Sequence, residues 1–165
     1  MKKVLLICII AILTITSIGC GPVNELFQNK KFKKDGLTIT LPKAFKENND
    51  EEYSQYTVCY ESNNILIVAI KEEFSKLEQL ESMTLDEYTA LVYRAKSSKA
   101  LTGIVKIEGL NTIEYAEDID NDTYKYFTTT FKGKDAFWIV QFACQEDKYD
   151  TYKPDFIKWA KTVKV

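Results

Sequence analysis

The apolar positions of this chain follow two patterns, one continuous run near the N-terminus and a series of alternating segments after it. Residues 4–18 are all apolar or small, and Lys2 and Lys3 precede them. This run is shorter than the about 20 residues that a transmembrane helix needs, and it matches the hydrophobic region of a secretory signal. The pattern therefore predicts that residues 1–19 are an export signal.

The end of the apolar run, Ser17-Ile18-Gly19-Cys20, resembles the lipobox of bacterial lipoproteins. The resemblance implies that a diacylglyceryl group alkylates the Cys20 thiol and that a signal peptidase cleaves before this residue. Leu is commoner than Ser where Ser17 stands. The alternatives are an ordinary secretory signal, in which Cys20 is incidental, and an uncleaved anchor. Two acyl chains give stable membrane attachment, so we expect a lipid-anchored protein on the extracytoplasmic face of the cell membrane.

Beyond Cys20 we predict a tether over residues 20–30 and a single domain over residues 31–165. Asp35-Gly36 is a strong hairpin signal, and Leu37, Ile39 and Leu41 alternate with threonines before Pro42 ends the strand. Similar alternation and apolar runs predict further strands at 53–62, 65–71, 104–108, 112–117, 124–131 and 136–144.

Two segments have helical rather than strand periodicity. Thr84 with Glu87 forms a capping box, and the helix that it starts is predicted to end near Lys99. Pro154 fits the first turn of a closing helix. The apolar stripe of the first helix, expected to face the core, comprises Leu85, Tyr88, Leu91, Val92 and Ala95, and that of the second Phe156, Ile157, Trp159, Ala160 and Val163.

The order of these elements predicts an α+β domain built on one antiparallel sheet of about six to seven strands. Segments 65–71 and 136–144 carry apolar residues on both faces, which is typical of central strands. Central strands of this kind need cover on both sides. We therefore expect the sheet to be flanked by helices, one on each face, as an α/β/α sandwich.

This pattern resembles the PsbP-like fold of photosystem PsbP subunits, Ran-binding Mog proteins and many small bacterial lipoproteins. The resemblance rests on the segment 32–45, which reads F-x-x-D-G-L-T-I-T-L-P-x-x-F, on Tyr124-x-Tyr126, on the aromatic strand at 136–142, and on Tyr149 with Pro154-x-Phe156. These are packing and turn residues, so the resemblance implies a fold and an accessory or interaction role without catalytic residues. The photosystem and Ran-binding roles do not carry over to an exported protein of this kind.

Composition narrows the chemistry further. The chain has 165 residues and a net charge of −2, which becomes −4 when Lys2 and Lys3 leave with the signal. It therefore lacks the basic footprint of nucleic-acid binding. The absence of histidine excludes Ser-His-Asp and Cys-His catalysis, histidine-ligated zinc and haem, and a histidine pH switch. No cofactor is expected.

Several residue groups invite a chemical interpretation. The run Asp118-Ile119-Asp120-Asn121-Asp122 begins like a calcium loop, but Thr123 replaces the glycine and Thr129 the glutamate that such a loop needs, so a polar turn is favoured. Cys59 and Cys144 lie in predicted strands and either form a disulfide or, as we favour, are two small buried residues. Four acids precede the first helix, namely Glu72, Glu73, Glu78 and Glu81. Tyrosines are numerous and are spread over predicted strands and loops; they include Tyr53, Tyr56, Tyr60, Tyr124, Tyr126, Tyr149 and Tyr152.

The residues thus lead us to expect a non-enzymatic binding or accessory module that contacts the membrane through Cys20 and an unidentified envelope protein or ligand. A small-molecule-binding transporter accessory and a carboxylate-based hydrolase are the alternatives. Four lysines before the first hairpin turn raise a separate question. Either they attract anionic lipid headgroups or, as we favour from sequence, they guard a solvated edge strand; they are Lys30, Lys31, Lys33 and Lys34.

Overall fold

A computed structural model describes residues 28–165 of the chain. The predicted signal, Cys20 and most of the predicted tether lie outside the described residues. Short 3-10 helices occupy Glu51–Tyr53 and Glu78–Leu80. The other elements are β1 (Asn29–Lys34), β2 (Leu37–Pro42), β3 (Lys46–Glu47), β4 (Val58–Ser62), β5 (Ile65–Glu73), α1 (Leu85–Lys96), β6 (Val105–Ile107), β7 (Leu110–Ile119), β8 (Asp122–Lys132), β9 (Ala136–Gln145) and α2 (Glu146–Ala160).

Seven strands form one antiparallel sheet in the order β3-β4-β5-β9-β8-β7-β6. Strand β9 lies at its centre, where Phe142 is paired with Ile67 of β5 and with Phe127 of β8. Nearly every residue of β9 is buried, on both faces. The prediction that the two doubly apolar segments are central strands is therefore confirmed.

Each face of the sheet is covered by one helix. On one face α2 places Phe156 and Trp159 in the main core, and the β1–β2 hairpin adds Leu37 and Ile39 to the same core. On the other face α1 stacks Tyr88 on Phe137 of β9, with ring centroids 4.0 Å apart and an interplanar angle of 5°. The predicted α+β class and α/β/α layering are confirmed.

The predicted hairpin turn at Asp35-Gly36 and the predicted capping box at Thr84 and Glu87 are both present in the structure. Asp35 and Gly36 have φ values of 50° and 102°, the left-handed geometry that a two-residue hairpin turn requires. At α1, the Thr84 hydroxyl accepts from the Glu87 backbone N–H at 3.2 Å, and the Glu87 carboxylate accepts from the Thr84 N–H at 2.8 Å. This capping box satisfies two N–H groups at the helix start.

Three predicted boundaries are wrong. The strand predicted at 53–62 begins only at Val58, because the residues before it form a 3-10 helix and a turn. Helix α1 ends at Lys96 rather than near Lys99. Pro154 lies inside α2 and not in its first turn, since α2 follows β9 without a loop. The apolar contacts of Tyr149 and Phe156 on either side of Pro154 hold the helix together across the hydrogen bond that proline cannot make.

Candidate functional site

Helix α1 covers only part of its face of the sheet. Tyr88 is buried against the sheet, but Leu91 is 38% exposed and Ala95 is also exposed. The expectation that the α1 stripe faces the core is therefore confirmed for Leu85, Tyr88 and Val92 and wrong for Leu91 and Ala95. Helix α1 packs mainly on β7 and β8, which leaves room beside it on this face of the sheet.

A groove occupies the open part of this face and has a volume of about 470 Å³. We call it the tyrosine groove, since Tyr53, Tyr56, Tyr124 and Tyr126 line it. Leu66 of β5 and Ala143 of β9 also line it, together with a group of amide side chains. These amides are Gln55, Asn63, Asn64 and Gln145.

Two different elements bring the four tyrosines together. Tyr124 and Tyr126 alternate along β8 and so point to the same face of the sheet. Tyr53 ends a 3-10 helix, and the turn after it places Tyr56 within reach because the Tyr56 N–H donates to the Tyr53 carbonyl at 3.0 Å. The groove thus has one wall on a strand and one on a loop.

The strand wall of the groove is held in place by side chains of the neighbouring strands and of α1. The ring of Tyr126 stacks on that of Tyr115, with centroids 4.5 Å apart and an interplanar angle of 4°. The Gln141 amide donates to the Tyr115 hydroxyl at 2.7 Å, and the Lys96 ammonium lies 4.9 Å from the Tyr115 ring centroid. These contacts fix the orientation of Tyr126 before any ligand arrives.

Two phenols of the groove, those of Tyr53 and Tyr126, have a raised pKa. Burial, reinforced by the Glu52 carboxylate, raises the pKa of Tyr53 to about 12. Burial and the negative charge of Glu117 raise the pKa of Tyr126 to about 12 as well. At neutral pH both hydroxyls are therefore protonated, so they can donate and accept hydrogen bonds but are poor nucleophiles or bases.

A smaller hollow of about 290 Å³ adjoins the groove between α1 and the sheet, and Tyr56 lines both. Its lining is mostly apolar, with Leu80 and Val92 among the side chains, and it also includes Lys96. The Tyr88 hydroxyl donates to the Glu72 carboxylate at 2.9 Å at its border.

The four acids that precede α1, which a carboxylate-based hydrolase would need to bring together, are distributed over two places. Glu72 lines the hollow beside α1, whereas Glu73, Glu78 and Glu81 line an open depression together with Asp135. A hydrogen bond from Lys76 and the charges of Lys76 and Lys71 lower the pKa of Glu73. Glu73 is therefore an ionised carboxylate that pairs with Lys71 and Lys76.

The two cysteines that were considered for a disulfide are free and buried. Cys59 lies on β4 and Cys144 on β9, with β5 between them. Strands are spaced about 4.8 Å apart, so two intervals exceed the about 7 Å Cα separation that a disulfide tolerates. They also point to opposite faces, because Cys59 aligns through Val68 with Gln141, three residues from Cys144 along β9. The structure thus agrees with the favoured interpretation and not with the bridge.

Both thiols are expected to resist alkylation in the native protein. Burial raises the pKa of each thiol to about 11, so little reactive thiolate exists near neutral pH. We expect iodoacetamide to leave Cys59 and Cys144 unmodified in folded protein carrying Cys20→Ser, and to modify both in urea without reductant. Intact mass spectrometry measures the change. Resistance in urea that disappears only on addition of reductant would instead demonstrate a disulfide.

The acidic run considered for calcium forms the turn between β7 and β8. Asp120 and Asn121 have φ values of 51° and 74°, and the Thr123 hydroxyl donates to the Asp118 carboxylate at 2.7 Å. Over residues 28–165 no group of three or more potential ligands is placed to hold a metal ion. The polar turn favoured from sequence is what the structure contains.

Sequence reasoning found the tyrosines but did not find the groove. The alternation of Tyr124 and Tyr126 was the available signal that these two share a face. Of the other tyrosines considered, Tyr60 and Tyr149 are buried in the main core, and Tyr152 packs against it. Cys20, the predicted lipidation site, lies outside the described residues, and none of the helices described within 28–165 is long and apolar enough to cross a bilayer.

Comparison with solved structures confirms the predicted fold. The solution structure of CyanoP, the cyanobacterial PsbP of Synechocystis sp. PCC 6803, aligns with 91% of this chain and 99% of its own, with a TM-score of 0.56 and 16% identity. Two others align with lower scores: PA94, a Pseudomonas aeruginosa protein of unknown function (TM-score 0.46, 9% identity, 82% and 95% of the two chains), and a Bacteroides thetaiotaomicron VPI-5482 structure (0.45, 16%, 72% and 42%). No family model and no curated protein sequence matches the chain. At 16% identity the likeness to CyanoP shows the fold alone.

Proposed function

We propose that this chain is a lipid-anchored, non-enzymatic binding module of the bacterial cell envelope whose partner docks in the tyrosine groove. The lipobox-like sequence ending at Cys20 supports the anchor. The observation that carries the binding role is the open sheet face beside α1, where four tyrosines surround one groove.

The chemistry of the groove suits recognition. Tyrosine offers a large, rigid aromatic surface with a polar end, and ordering its side chain costs little conformational entropy. Tyr124 and Tyr126 come from a paired strand, which limits the backbone ordering that binding requires. The surrounding amides supply uncharged donors and acceptors, and Glu61 adds one carboxylate to the lining. A protein surface or a saccharide is the class of partner that such a surface fits.

A second candidate is a small-molecule-binding accessory of a transporter. The hollow between α1 and the sheet favours it, since apolar side chains there are combined with Glu72, Lys96 and Gln141. Its volume of about 290 Å³ lies at the lower end of the range of about 300–1,000 Å³ for ligand sites. The larger and more aromatic groove is therefore the first candidate.

The test is cross-linking of the native, lipidated protein on living cells, with captured molecules identified by mass spectrometry. We expect Tyr56→Ala and Tyr124→Ala each to lower capture of a reproducible partner about tenfold, because aromatic residues dominate binding energy at interfaces. Tyr93→Ala is the matched control, since Tyr93 lies on α1 away from both the groove and the hollow.

Unchanged melting temperatures for the three variants would show that differences in capture arise at the surface. Equal capture by wild type, Tyr56→Ala and Tyr124→Ala would contradict the groove as the docking site. Capture of no partner at good labelling efficiency, combined with a small molecule that copurifies, would favour the second candidate.

A further inference from the structure

The β1–β2 hairpin, which packs on the sheet face opposite α1, carries a row of lysines on its outer face. Phe32 and Ile39 are paired and buried, so their neighbours in each strand point outward. Lys33 is paired with Thr38, and Thr38 is bridged in turn to Lys164 near the C-terminus. Paired residues share a face of a sheet, so Lys33 and Lys164 lie on the same outer surface.

The row continues toward the start of the hairpin. Lys31 is exposed two residues before Lys33, and Asn29 is paired with Pro42 at the open end of the hairpin. Asn29 and Pro42 also line a wide depression of about 830 Å³ between the hairpin and α2. Three exposed lysines line the same depression, namely Lys43, Lys46 and Lys158. We call the six residues Lys31, Lys33, Lys43, Lys46, Lys158 and Lys164 the lysine surface.

The lysine surface is not neutralised by the protein itself. Within residues 28–165 none of its six ammonium groups forms an ion pair, whereas Lys71, Lys99 and Lys153 on other parts of the domain do. The carboxylates along the surface are Asp35 at the hairpin turn and Asp155 in the depression. Two further acids lie nearby: Glu47 is paired with Lys34 at 2.7 Å, and Glu61 lies opposite Lys46 across the β3–β4 pair. Among the described residues, the six lysines still outnumber the three unpaired carboxylates. A net positive patch therefore stands on a chain whose overall charge is negative.

The position of the first strand of the domain links the lysine surface to the proposed anchor. Asn29 begins β1 and lines the lysine-bearing depression. Cys20 and Asn29 are separated by nine residue-to-residue steps, which span at most about 30 Å when the chain is fully extended. A lipid on Cys20 would thus hold the lysine surface close to the bilayer. Anionic headgroups attract lysines within about a Debye length of 8 Å.

We infer that the lysine surface docks the domain against anionic phospholipid headgroups of the membrane that holds it. This inference rests on the proposed anchoring at Cys20. The β1–β2 hairpin and α2 then face the bilayer, and the seven-stranded sheet separates them from α1. The tyrosine groove meets the lysine-bearing depression at the β4–β5 turn, where Asn63 and Asn64 line both, so the groove opens beside the membrane-facing side.

The test uses the full mature chain, residues 20–165, with Cys20→Ser, so that no lipid assists binding. Co-sedimentation compares vesicles of phosphatidylcholine alone with vesicles that also contain phosphatidylglycerol. We expect binding to the anionic vesicles only, and we expect it to weaken as salt is added. The triple variant Lys31→Glu/Lys33→Glu/Lys43→Glu should bind about a hundredfold more weakly, since each lysine contributes about fivefold.

The matched control is Lys76→Glu/Lys99→Glu/Lys106→Glu, which changes net charge equally. Lys76 follows β5 toward α1, Lys99 pairs with Glu117, and Lys106 is paired with Asn111, which contacts α1. The control should retain most of the binding. Equal losses in both variants would overturn the inference, because net charge alone would then explain them. Equal binding to neutral vesicles would also overturn it, as would displacement by inorganic phosphate at constant ionic strength, which indicates a discrete phosphate site.

Because the vesicle assay uses unlipidated protein, its result does not depend on whether Cys20 is acylated in cells. Fractionation of cells tests the anchor itself. Failure of the anchor and failure of the lysine surface are therefore separate results.

Discussion

Replacement of Cys20 by alanine is expected to release the protein from the membrane fraction into the soluble envelope fraction or the medium. The variant cannot form the thioether to a diacylglyceryl group, and two acyl chains are what distinguishes stable attachment from marginal binding. The lysine surface alone should give only weak association that a salt wash removes. Cell fractionation with immunoblotting measures the distribution. Incorporation of a palmitate analogue measures lipidation directly.

Cys59→Ala is the control for this experiment, since Cys59 is a buried thiol of the folded domain. It should remain in the membrane fraction and take up the fatty-acid label as the wild type does. A Cys20→Ala protein that stays in the membrane fraction after a salt wash would contradict the proposed anchor. So would wild-type protein that carries no label.

Phe156→Ala is expected to lower the free energy of unfolding by about 3–5 kcal/mol, the range for deleting a fully buried aromatic side chain. Phe156 is 0% exposed and lies where α2 meets the sheet. Its ring centroid is 5.6 Å from that of Phe142 and 6.0 Å from those of Tyr149 and Trp159. The cavity left by alanine would separate α2 from β9. Since domains are stable by only about 5–15 kcal/mol, the variant should be near the limit of folding.

Urea denaturation followed by circular dichroism measures this effect. Phe156→Leu is the graded control and should cost about 1–1.5 kcal/mol, because it keeps most of the apolar volume. A Phe156→Ala midpoint within experimental error of the wild type would contradict the central place of α2 in the core. A changed slope of the transition would show instead that the unfolding is no longer two-state.

The parts of the fold that depend on local chemistry could be predicted from the sequence. The Asp35-Gly36 turn requires positive φ, and the Thr84–Glu87 pair caps a helix with atoms only three residues apart. The two-sided apolar pattern identified β9 as central, because burial on both faces makes nearly every position apolar, with Gln141 the buried exception. These signals need no knowledge of distant residues.

The parts that depend on distant contacts could not be predicted. The preference of proline for the first turn of a helix predicts that α2 begins near Pro154, whereas tertiary packing extends α2 back to Glu146. Four tyrosines were visible, but their convergence depends on where α1 ends and on the turn that places Tyr56 opposite β8. The strand order also brings β5 and β9 together from segments far apart in sequence. A periodic pattern specifies which face of a strand or helix is buried, but not which other element packs against that face.

The β1–β2 hairpin forms its own two-stranded sheet and is joined at its free edge by the bridge from Thr38 to Lys164. A chain held at Cys20 and pulled at the tyrosine groove would therefore carry the load through this small sheet first. The hydrogen bonds of Thr38 with Lys164, at 2.8 and 2.9 Å, resist that force together with the buried side chains of the hairpin. Strands β8 and β9 belong to the separate seven-stranded sheet, so tension from the N-terminal side reaches the groove only through the hairpin and its contacts.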